Sequence, residues 1–107
     1  MPAWTYILSS NSKTLYTGST NNLHRRVLEH RCGIHSHFAS KYRCHRLVWF
    51  QQFDTPQAAM ARETQIKGWT RAKKIALIQS ANPELRDLAQ FWEYPILPPT
   101  VPTADRP

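Results

Sequence analysis

At 107 residues the chain has room for one domain with a modest core, and its 41% hydrophobic content suits a folded protein rather than a disordered one. No apolar run is long enough to cross a membrane, and the first residues lack the features of a signal peptide, so we expect a cytoplasmic protein without a membrane partner. The net charge of +7 favours a polyanion as partner.

Two stretches near the start of the chain predict the strands of a hairpin. Residues 4–8 and 15–18 are rich in aromatic and β-branched side chains, and the polar residues 9–13 between them favour a turn. Gly18 is expected to end the second strand. Residues 20–22 then offer side-chain oxygens that can cap the start of a helix.

The helix predicted after this hairpin carries two polar groups on one face. Arg26 and His30 stand four residues apart and therefore share a face, with Leu23 and Val27 as an adjoining apolar stripe. Both polar groups flank this apolar stripe, which is expected to pack close to the hairpin. Taken alone, each has a simpler interpretation, because Arg26 can be a solvated charge and His30 a cation that the helix dipole favours at the helix end.

A third strand and a second helix follow. Residues 45–53 include a run that is apolar on both faces, which is typical of a central strand covered on each side. Thr55 can cap the next helix, predicted over residues 56–67, with Pro56 at its first position. Gly68 suits the position just after that helix.

Glu63 interrupts the apolar face of the second helix. Ala59, Glu63 and Ile66 recur at helical spacing, so the carboxylate is expected to point toward apolar surroundings. A buried carboxylate without a counter-charge costs on the order of several kcal/mol, so Glu63 needs a cation. From the helix alone the candidates are Arg26 and a metal ion, and the ion pair with Arg26 is the simpler of the two.

The rest of the chain predicts two more helices and a tail. Residues 70–78 predict a third helix capped by Thr70, and residues 84–92 predict a short fourth one. From Tyr94 onward the chain is rich in proline and has no periodicity, which is typical of a flexible tail. We therefore expect one domain over residues 1–93 and a tail over residues 94–107, while the oligomeric state stays open.

Basic residues concentrate in the first half of the chain. Between Lys13 and Arg46 there are seven lysines and arginines against the single acid Glu29, and all five histidines fall in the same span. Such a span favours the phosphate backbone of a nucleic acid, although a basic surface that only keeps the protein soluble has the same composition. The candidate nucleic-acid contacts, one of them further along the chain, are Lys13, Arg25, Arg31, His37, Lys41, Arg43 and Lys67.

The two cysteines, Cys32 and Cys44, do not have the spacing of a zinc site. A zinc cluster that adds His30, His35 and His37 to them is an alternative, but it lacks the closely spaced ligand pairs that zinc sites need. A disulfide between the cysteines is disfavoured in the reducing compartment that we expect.

Two short motifs stand on the neighbouring strands of the predicted hairpin, Trp-Thr-Tyr at residues 4–6 and Tyr-Thr-Gly at residues 16–18. They resemble the two motifs that give the GIY-YIG nuclease superfamily its name, with Gly-Ile-Tyr on the first strand and Tyr-Ile-Gly on the second. Both tyrosines and the second glycine are kept here. The glycine and isoleucine of the first motif are replaced.

Further stretches add to this resemblance. The pattern Leu-x-x-Arg-x-x-x-His over residues 23–30 is similar to the family's catalytic helix, and residues 62–69 resemble the small single-domain bacterial branch. The resemblance implies an α/β fold in which a small three-stranded antiparallel sheet is flanked by helices. It also implies a cytoplasmic hydrolase that binds DNA, cuts it as an endonuclease and serves DNA repair.

The resemblance implies a role for each matched residue. Tyr6, Tyr16, Arg26 and His30 would be catalytic, and Glu63 would hold a divalent metal, Mg²⁺ or Mn²⁺, rather than pair with an arginine. Arg26 would grip the scissile phosphate, while a tyrosine or His30 would act on the attacking water. We expect single-stranded or branched DNA as substrate rather than a long specific sequence. The alternative is a non-catalytic nucleic-acid-binding module with the same fold.

Overall fold

The computed structural model of the protein describes residues 1–10, 13–31 and 46–90. These residues form a three-stranded sheet and three helices. In chain order the elements are β1 (Ala3–Ser9), β2 (Leu15–Thr20), α1 (Leu23–Arg31), β3 (Arg46–Phe53), α2 (Pro56–Lys67) and α3 (Arg71–Ala81).

The sheet is antiparallel throughout and has the strand order β2-β1-β3. The predicted fold class, a small antiparallel sheet flanked by helices, is therefore confirmed. The prediction that the third strand is central is wrong, because β1 lies in the middle and β3 is at an edge. An apolar run shows that both faces of a strand are covered, but it does not show which strands pair with it.

Each face of the sheet has its own core, because successive side chains of a strand point to opposite faces. Tyr6 and Leu8 of β1 point to the α1 side, and Ile7 points to the side of α2 and α3. The core on the α1 side comprises Tyr6, Leu8, Leu23, Val27, Leu47 and Ala89. The core on the other side comprises Ile7, Val48, Trp49, Ile66 and Ile78.

Gly18 lies inside β2 and does not end it, contrary to the sequence prediction, because the strand continues to Thr20. Gly18 pairs with Tyr6 across the hairpin. A Cβ atom at Gly18 would lie 2.6 Å from the Tyr6 hydroxyl oxygen and 2.7 Å from Cζ of the same ring. The absence of a side chain at this position therefore leaves room for the Tyr6 ring to lie across β2.

The predicted helix caps are confirmed. The Asn22 side-chain oxygen accepts a hydrogen bond from the Arg25 backbone N–H (3.1 Å) at the start of α1. Thr55 and Thr70 accept in the same way at the starts of α2 and α3. Gly68 follows α2 as predicted, but its φ of −81° is right-handed, so the backbone there does not require glycine.

The fourth helix predicted over residues 84–92 is wrong for the part that the structure describes, because residues 84–90 form turns and irregular backbone. Two polar side chains hold this segment in place by hydrogen bonds to backbone groups. Asn82 donates to the carbonyls of Val48 (3.0 Å) and Arg86 (2.9 Å), and Asp87 accepts from the Leu47 backbone N–H (3.1 Å). This segment therefore ties the C-terminal part of the domain to β3.

Several predictions fall outside the described residues. They are the zinc alternative at Cys32 and Cys44, the tail over residues 94–107, and the domain boundary at residue 93. Within the described ranges, no helix has the length and apolar composition needed to span a bilayer.

Candidate active site

A buried hydrogen bond between Tyr6 and His30 lies at the centre of the site. The Tyr6 hydroxyl and His30 Nε2 are 3.0 Å apart, and both side chains are almost completely buried. Tyr6 comes from the central strand and His30 from the last turns of α1, so the contact joins the sheet to the helix. Burial, the largest cause, raises the pKa of Tyr6 well above its usual value. The phenol therefore keeps its proton at neutral pH, and the imidazole tautomer sets which partner donates in its hydrogen bond with His30.

Tyr16 completes an aromatic cluster with this pair. Its ring centroid lies 5.1 Å from that of His30 and 6.4 Å from that of Tyr6, and the Tyr6 and His30 rings are 5.9 Å apart. Tyr16 is half-buried, whereas the other two rings are not accessible. Both tyrosines of the sequence motifs and the predicted histidine thus converge, and Tyr16 is the member of the cluster that reaches the surface.

Arg26 lies at the rim of this cluster. By its charge and by a hydrogen bond to the phenol, it opposes the rise in the pKa of Tyr6 that burial causes. Its Nε is 3.4 Å from the Glu29 carboxylate, which also accepts a hydrogen bond from Arg25 at 3.1 Å. The ion pair between Arg26 and Glu63 that helix spacing favoured is therefore wrong.

Glu63 has two partners that the sequence analysis did not predict. The Ser19 hydroxyl donates to Oε1 of Glu63 at 2.6 Å, and the Lys67 ammonium lies 2.6 Å from Oε2. The expectation that Glu63 needs a cation is correct, but Lys67 supplies it. The carboxylate is also less buried than expected, with 20% of the side chain exposed.

Glu63 approaches the aromatic cluster from the other side of β2. Tyr16 and Gly18 of this strand face α1, and Ser19 faces α2 because side chains alternate along a strand. The charge of Glu63 is nonetheless among the causes that raise the pKa of Tyr6, so the carboxylate and the phenol are within electrostatic reach of each other. The five predicted site residues therefore surround one edge strand, four on one face and Glu63 on the other.

Two grooves open at the end of β2. One, of about 180 Å³, is polar and is lined by Thr20, Asn21, Asn22, Arg25, Arg26 and Glu29. The other, of about 200 Å³, includes Ser19 and residues of α2 and shares Thr20 and Asn21 with the first. Arg26 and the serine that holds Glu63 thus line neighbouring grooves on either side of the same strand end.

Residues 2–76 match the protein family described as the GIY-YIG catalytic domain. The chain belongs to the GIY-YIG family. The matched range contains the whole sheet, the helices α1 and α2 and all five candidate residues. The family is one of nucleases, so the match indicates nuclease-type chemistry.

Relatives within the GIY-YIG family carry the name UPF0213. A UPF0213 protein of Natronomonas pharaonis is 43% identical over 75 residues, which cover 70% of this chain and 88% of that protein. One of Syntrophus aciditrophicus is 39% identical over 82 residues, 76% of this chain and 93% of that protein. The solution NMR structure of a UPF0213 protein from Bacillus halodurans matches with a TM-score of 0.54 and 26% identity, covering 87% of this chain and 100% of that one.

GIY-YIG nucleases generally use divalent metal ions. The donor atoms near Glu63 fit only a divalent ion that is bound weakly. In the part of the chain that the structure describes, no three His, Cys, Asp or Glu side chains lie close enough together to hold a metal. Mg²⁺ keeps several waters and needs only one or two carboxylates together with substrate phosphates. Glu63 meets this requirement once its cation partner Lys67 moves away.

The predicted nucleic-acid contacts are only partly within the described residues. Lys13 is exposed in the hairpin turn, with a φ of 66°, and Arg25 is exposed at the rim of the polar groove. Lys67 pairs with Glu63 but is 53% exposed. The backbone of Arg31 ends α1. The others, His37, Lys41 and Arg43, lie outside the described residues.

Ser19 is the site residue that sequence reasoning missed. It directly follows the second motif, and the alternation of β2 places it on the opposite face from Gly18. The same alternation was therefore a signal that Ser19 faces the second helix. Its partner on that helix depends on how α2 crosses the sheet, which the sequence pattern does not give.

Proposed function

We propose that the protein is a metal-dependent endonuclease that hydrolyses phosphodiester bonds in DNA. The observation that carries this proposal is the convergence of Tyr6, His30 and Tyr16 beside Arg26, with Glu63 across the same edge strand. A structural core has no need of a buried histidine, a buried phenol and an arginine in one cluster. A phosphate and an attacking water, in contrast, need charged and hydrogen-bonding groups that are fixed in advance.

Arg26 is the residue that binds the scissile phosphate. Its side chain is 30% exposed and lines the polar groove, so a phosphate can reach it. Its 3.4 Å ion pair with Glu29 is a surface contact, worth about 0–1 kcal/mol, and is easily exchanged. A planar guanidinium binds two phosphate oxygens at once, which fixes the orientation of the phosphate.

The two tyrosines have different roles. Tyr6 has no exposed surface and a raised pKa, so it is a poor base and does not meet bulk water. It positions His30 and Arg26 instead. Tyr16 is half-buried and contacts the same histidine, so it is the tyrosine that orients the attacking water.

Glu63 is the residue that would hold Mg²⁺ or Mn²⁺. When bound, such an ion supplies Lewis acidity and stabilises the negative charge on the departing sugar oxygen. The hydroxyl of Ser19 orients the carboxylate, and the ammonium of Lys67 has to leave its oxygen. The freed ammonium is then available to a DNA phosphate.

The substrate is DNA that the protein recognises without reading a long sequence. The candidate contacts are mostly lysines and arginines, which bind phosphates and carry no sequence information by themselves. The grooves at the end of β2 are small and open, which suits a single strand or a branch point. These features support single-stranded or branched DNA as the preferred substrate.

A cleavage assay tests the proposal. End-labelled single-stranded, duplex and branched DNA of the same sequence are incubated with the wild type or Glu63→Gln, in EDTA, Mg²⁺ or Mn²⁺. We expect cleavage by the wild type only with metal and none by Glu63→Gln. Because Glu63 is partly exposed and its pair with Lys67 is a helix surface pair worth about 0.3–0.5 kcal/mol, the variant should melt close to the wild type. A wild type that cuts none of the three DNAs with either metal overturns the proposal.

One observation favours the second candidate, a non-catalytic nucleic-acid-binding module. Both oxygens of Glu63 already have partners within the chain, so the carboxylate has a role in the fold without any metal. This candidate predicts DNA binding without cleavage and without metal binding. Titration of the wild type with Mn²⁺, followed by electron paramagnetic resonance, separates the two candidates.

A further inference from the structure

A second group of cations lies on the α2 and α3 side of the sheet and takes no part in the proposed site. The Arg62 guanidinium carbon is 5.3 Å from the ring centroid of Trp69, and the Lys73 ammonium is 4.5 Å from it. Arg62 is also 5.9 Å from the ring of Trp49 on β3. The half-buried ring of Trp69, which lies in the chain between α2 and α3, therefore has two cations beside it.

The positive charge of residues 62–74 is not balanced by carboxylates of the described residues. From residue 62 to residue 74 there are five lysines and arginines and one acid, Glu63, which Lys67 neutralises. Within the described part of the chain, no carboxylate is within ion-pair distance of the other four, and Arg62 donates to the neutral Gln65 side chain at 2.7 Å. We call these four residues the α3 cation cluster: Arg62, Arg71, Lys73 and Lys74.

This arrangement is unfavourable for the isolated protein. Three members of the α3 cation cluster stand in the first turn of α3, which contains no acidic residue. The helix dipole disfavours cations at this end, and the cations also repel one another. The indole offsets part of this cost, since the face of an aromatic ring attracts a cation. A bound anion would remove the rest.

We propose that the α3 cation cluster binds the sugar–phosphate backbone of the DNA outside the cleavage site. This inference rests on the proposed function, because it takes DNA as the ligand. The contact is to phosphates and not to bases, since Arg62 and Lys73 already lie against the ring of Trp69. Lys67, on the last turn of α2, lies in the chain between Glu63 and the three cluster members on α3, so we expect one strand to contact both regions.

The experiment measures binding without cleavage. The probes are a fluorescein-labelled single strand of about 20 nucleotides and a labelled hairpin duplex, and their anisotropy is followed in EDTA at several salt concentrations. Arg71→Glu is the main variant, because Arg71 is exposed and makes no described side-chain contact. Lys73→Ala is the second variant. Arg86→Glu is the control, since it changes the net charge equally at a 73% exposed arginine of the C-terminal segment.

We expect Arg71→Glu to weaken binding by about tenfold at low salt and to reduce the slope of log affinity against log salt by about one. Lys73→Ala should act in the same direction, and Arg86→Glu should have little effect. Equal losses in Arg71→Glu and Arg86→Glu would mean that only net charge matters, and unchanged binding in Arg71→Glu would remove the cluster from the interface. Either result overturns the inference while the wild type still binds and cuts DNA. A wild type that binds neither probe overturns the proposed function as well.

Discussion

The Lys67 ammonium lies 2.6 Å from Oε2 of Glu63, one turn further along α2. The carboxylate proposed as the metal ligand therefore already has a cation beside it. The pair is partly exposed, so it is weak enough for a hydrated divalent ion to replace the ammonium. Lys67 and the metal are thus competitors for the same oxygen.

Removal of Lys67 should strengthen metal binding. In Lys67→Met, we expect the affinity for Mn²⁺ in the absence of DNA to rise by about tenfold. This is the order given by a unit charge about 5 Å from a divalent ion in a water-like dielectric. Electron paramagnetic resonance of free Mn²⁺ measures the affinity, and Lys74→Met is the matched control. Unchanged or weaker Mn²⁺ binding in Lys67→Met would contradict the competition.

Arg26 and Arg25 form a natural pair of test and control, because both contact the carboxylate of Glu29. Arg26→Ala should reduce the cleavage rate by about 100-fold or more, comparable to removing one fixed electrostatic contact to the transition state. Arg25→Ala should weaken DNA binding but leave the rate at saturating DNA nearly unchanged. Arg25→Ala loses only a surface ion pair and should melt close to the wild type. Arg26→Ala also loses its hydrogen bond to the Tyr6 phenol and should be destabilised by about 0.5–1.5 kcal/mol. Equal rates for the two variants would place Arg26 outside the site.

The two glycines of the described chain allow a test of the Tyr6 position. A Cβ at Gly18 would lie 2.6 Å from the Tyr6 hydroxyl oxygen, whereas one at Gly68 would meet nothing closer than 3.6 Å. Gly18→Ala should therefore push the ring away from His30, reduce cleavage and destabilise the fold by about 1–3 kcal/mol. Gly68→Ala should change stability by less than about 1 kcal/mol, because φ there is −81°. Urea unfolding of both variants measures the difference, and equal stabilities would argue against a close approach of Tyr6 to Gly18.

Local signals predicted those parts of the fold that depend on neighbouring residues. Helix α2 begins and ends where the sequence placed it, because Thr55, Pro56 and Gly68 act within one turn of the helix ends. The position of β3 in the sheet was not predictable in the same way. It depends on long-range pairing and on the irregular segment that Asn82 and Asp87 tie to it.

The same distinction between local signals and long-range packing applies to the site. The sequence placed Arg26 and His30 on one face of α1 because helical spacing alone determines this. The contact between Tyr6 and His30 needs the register of the hairpin and the packing of α1, which no local pattern gives. Glu63 was predicted to face fully inward with Ala59. Four residues of an α-helix turn through about 400°, so the Glu63 side chain is rotated by about 40° from that of Ala59, toward the edge of the buried helix face. There it meets Lys67, whose spacing of four residues from Glu63 was a readable signal.

High pH should destabilise the protein through Tyr6. Burial raises the pKa of Tyr6 well above its ordinary 10.0, so the folded protein keeps the phenol protonated while the unfolded chain ionises near pH 10. The contribution to stability is complete below pH 10 and is lost as the pH rises toward the folded pKa, by at most about 1.4 kcal/mol per pH unit. Urea unfolding between pH 8 and 11 should show this decline for the wild type and a shallower one for Tyr6→Phe. The rise in phenolate absorbance on unfolding at high pH should also be smaller by one tyrosine in the variant, and identical pH profiles would mean that Tyr6 ionises in the folded state.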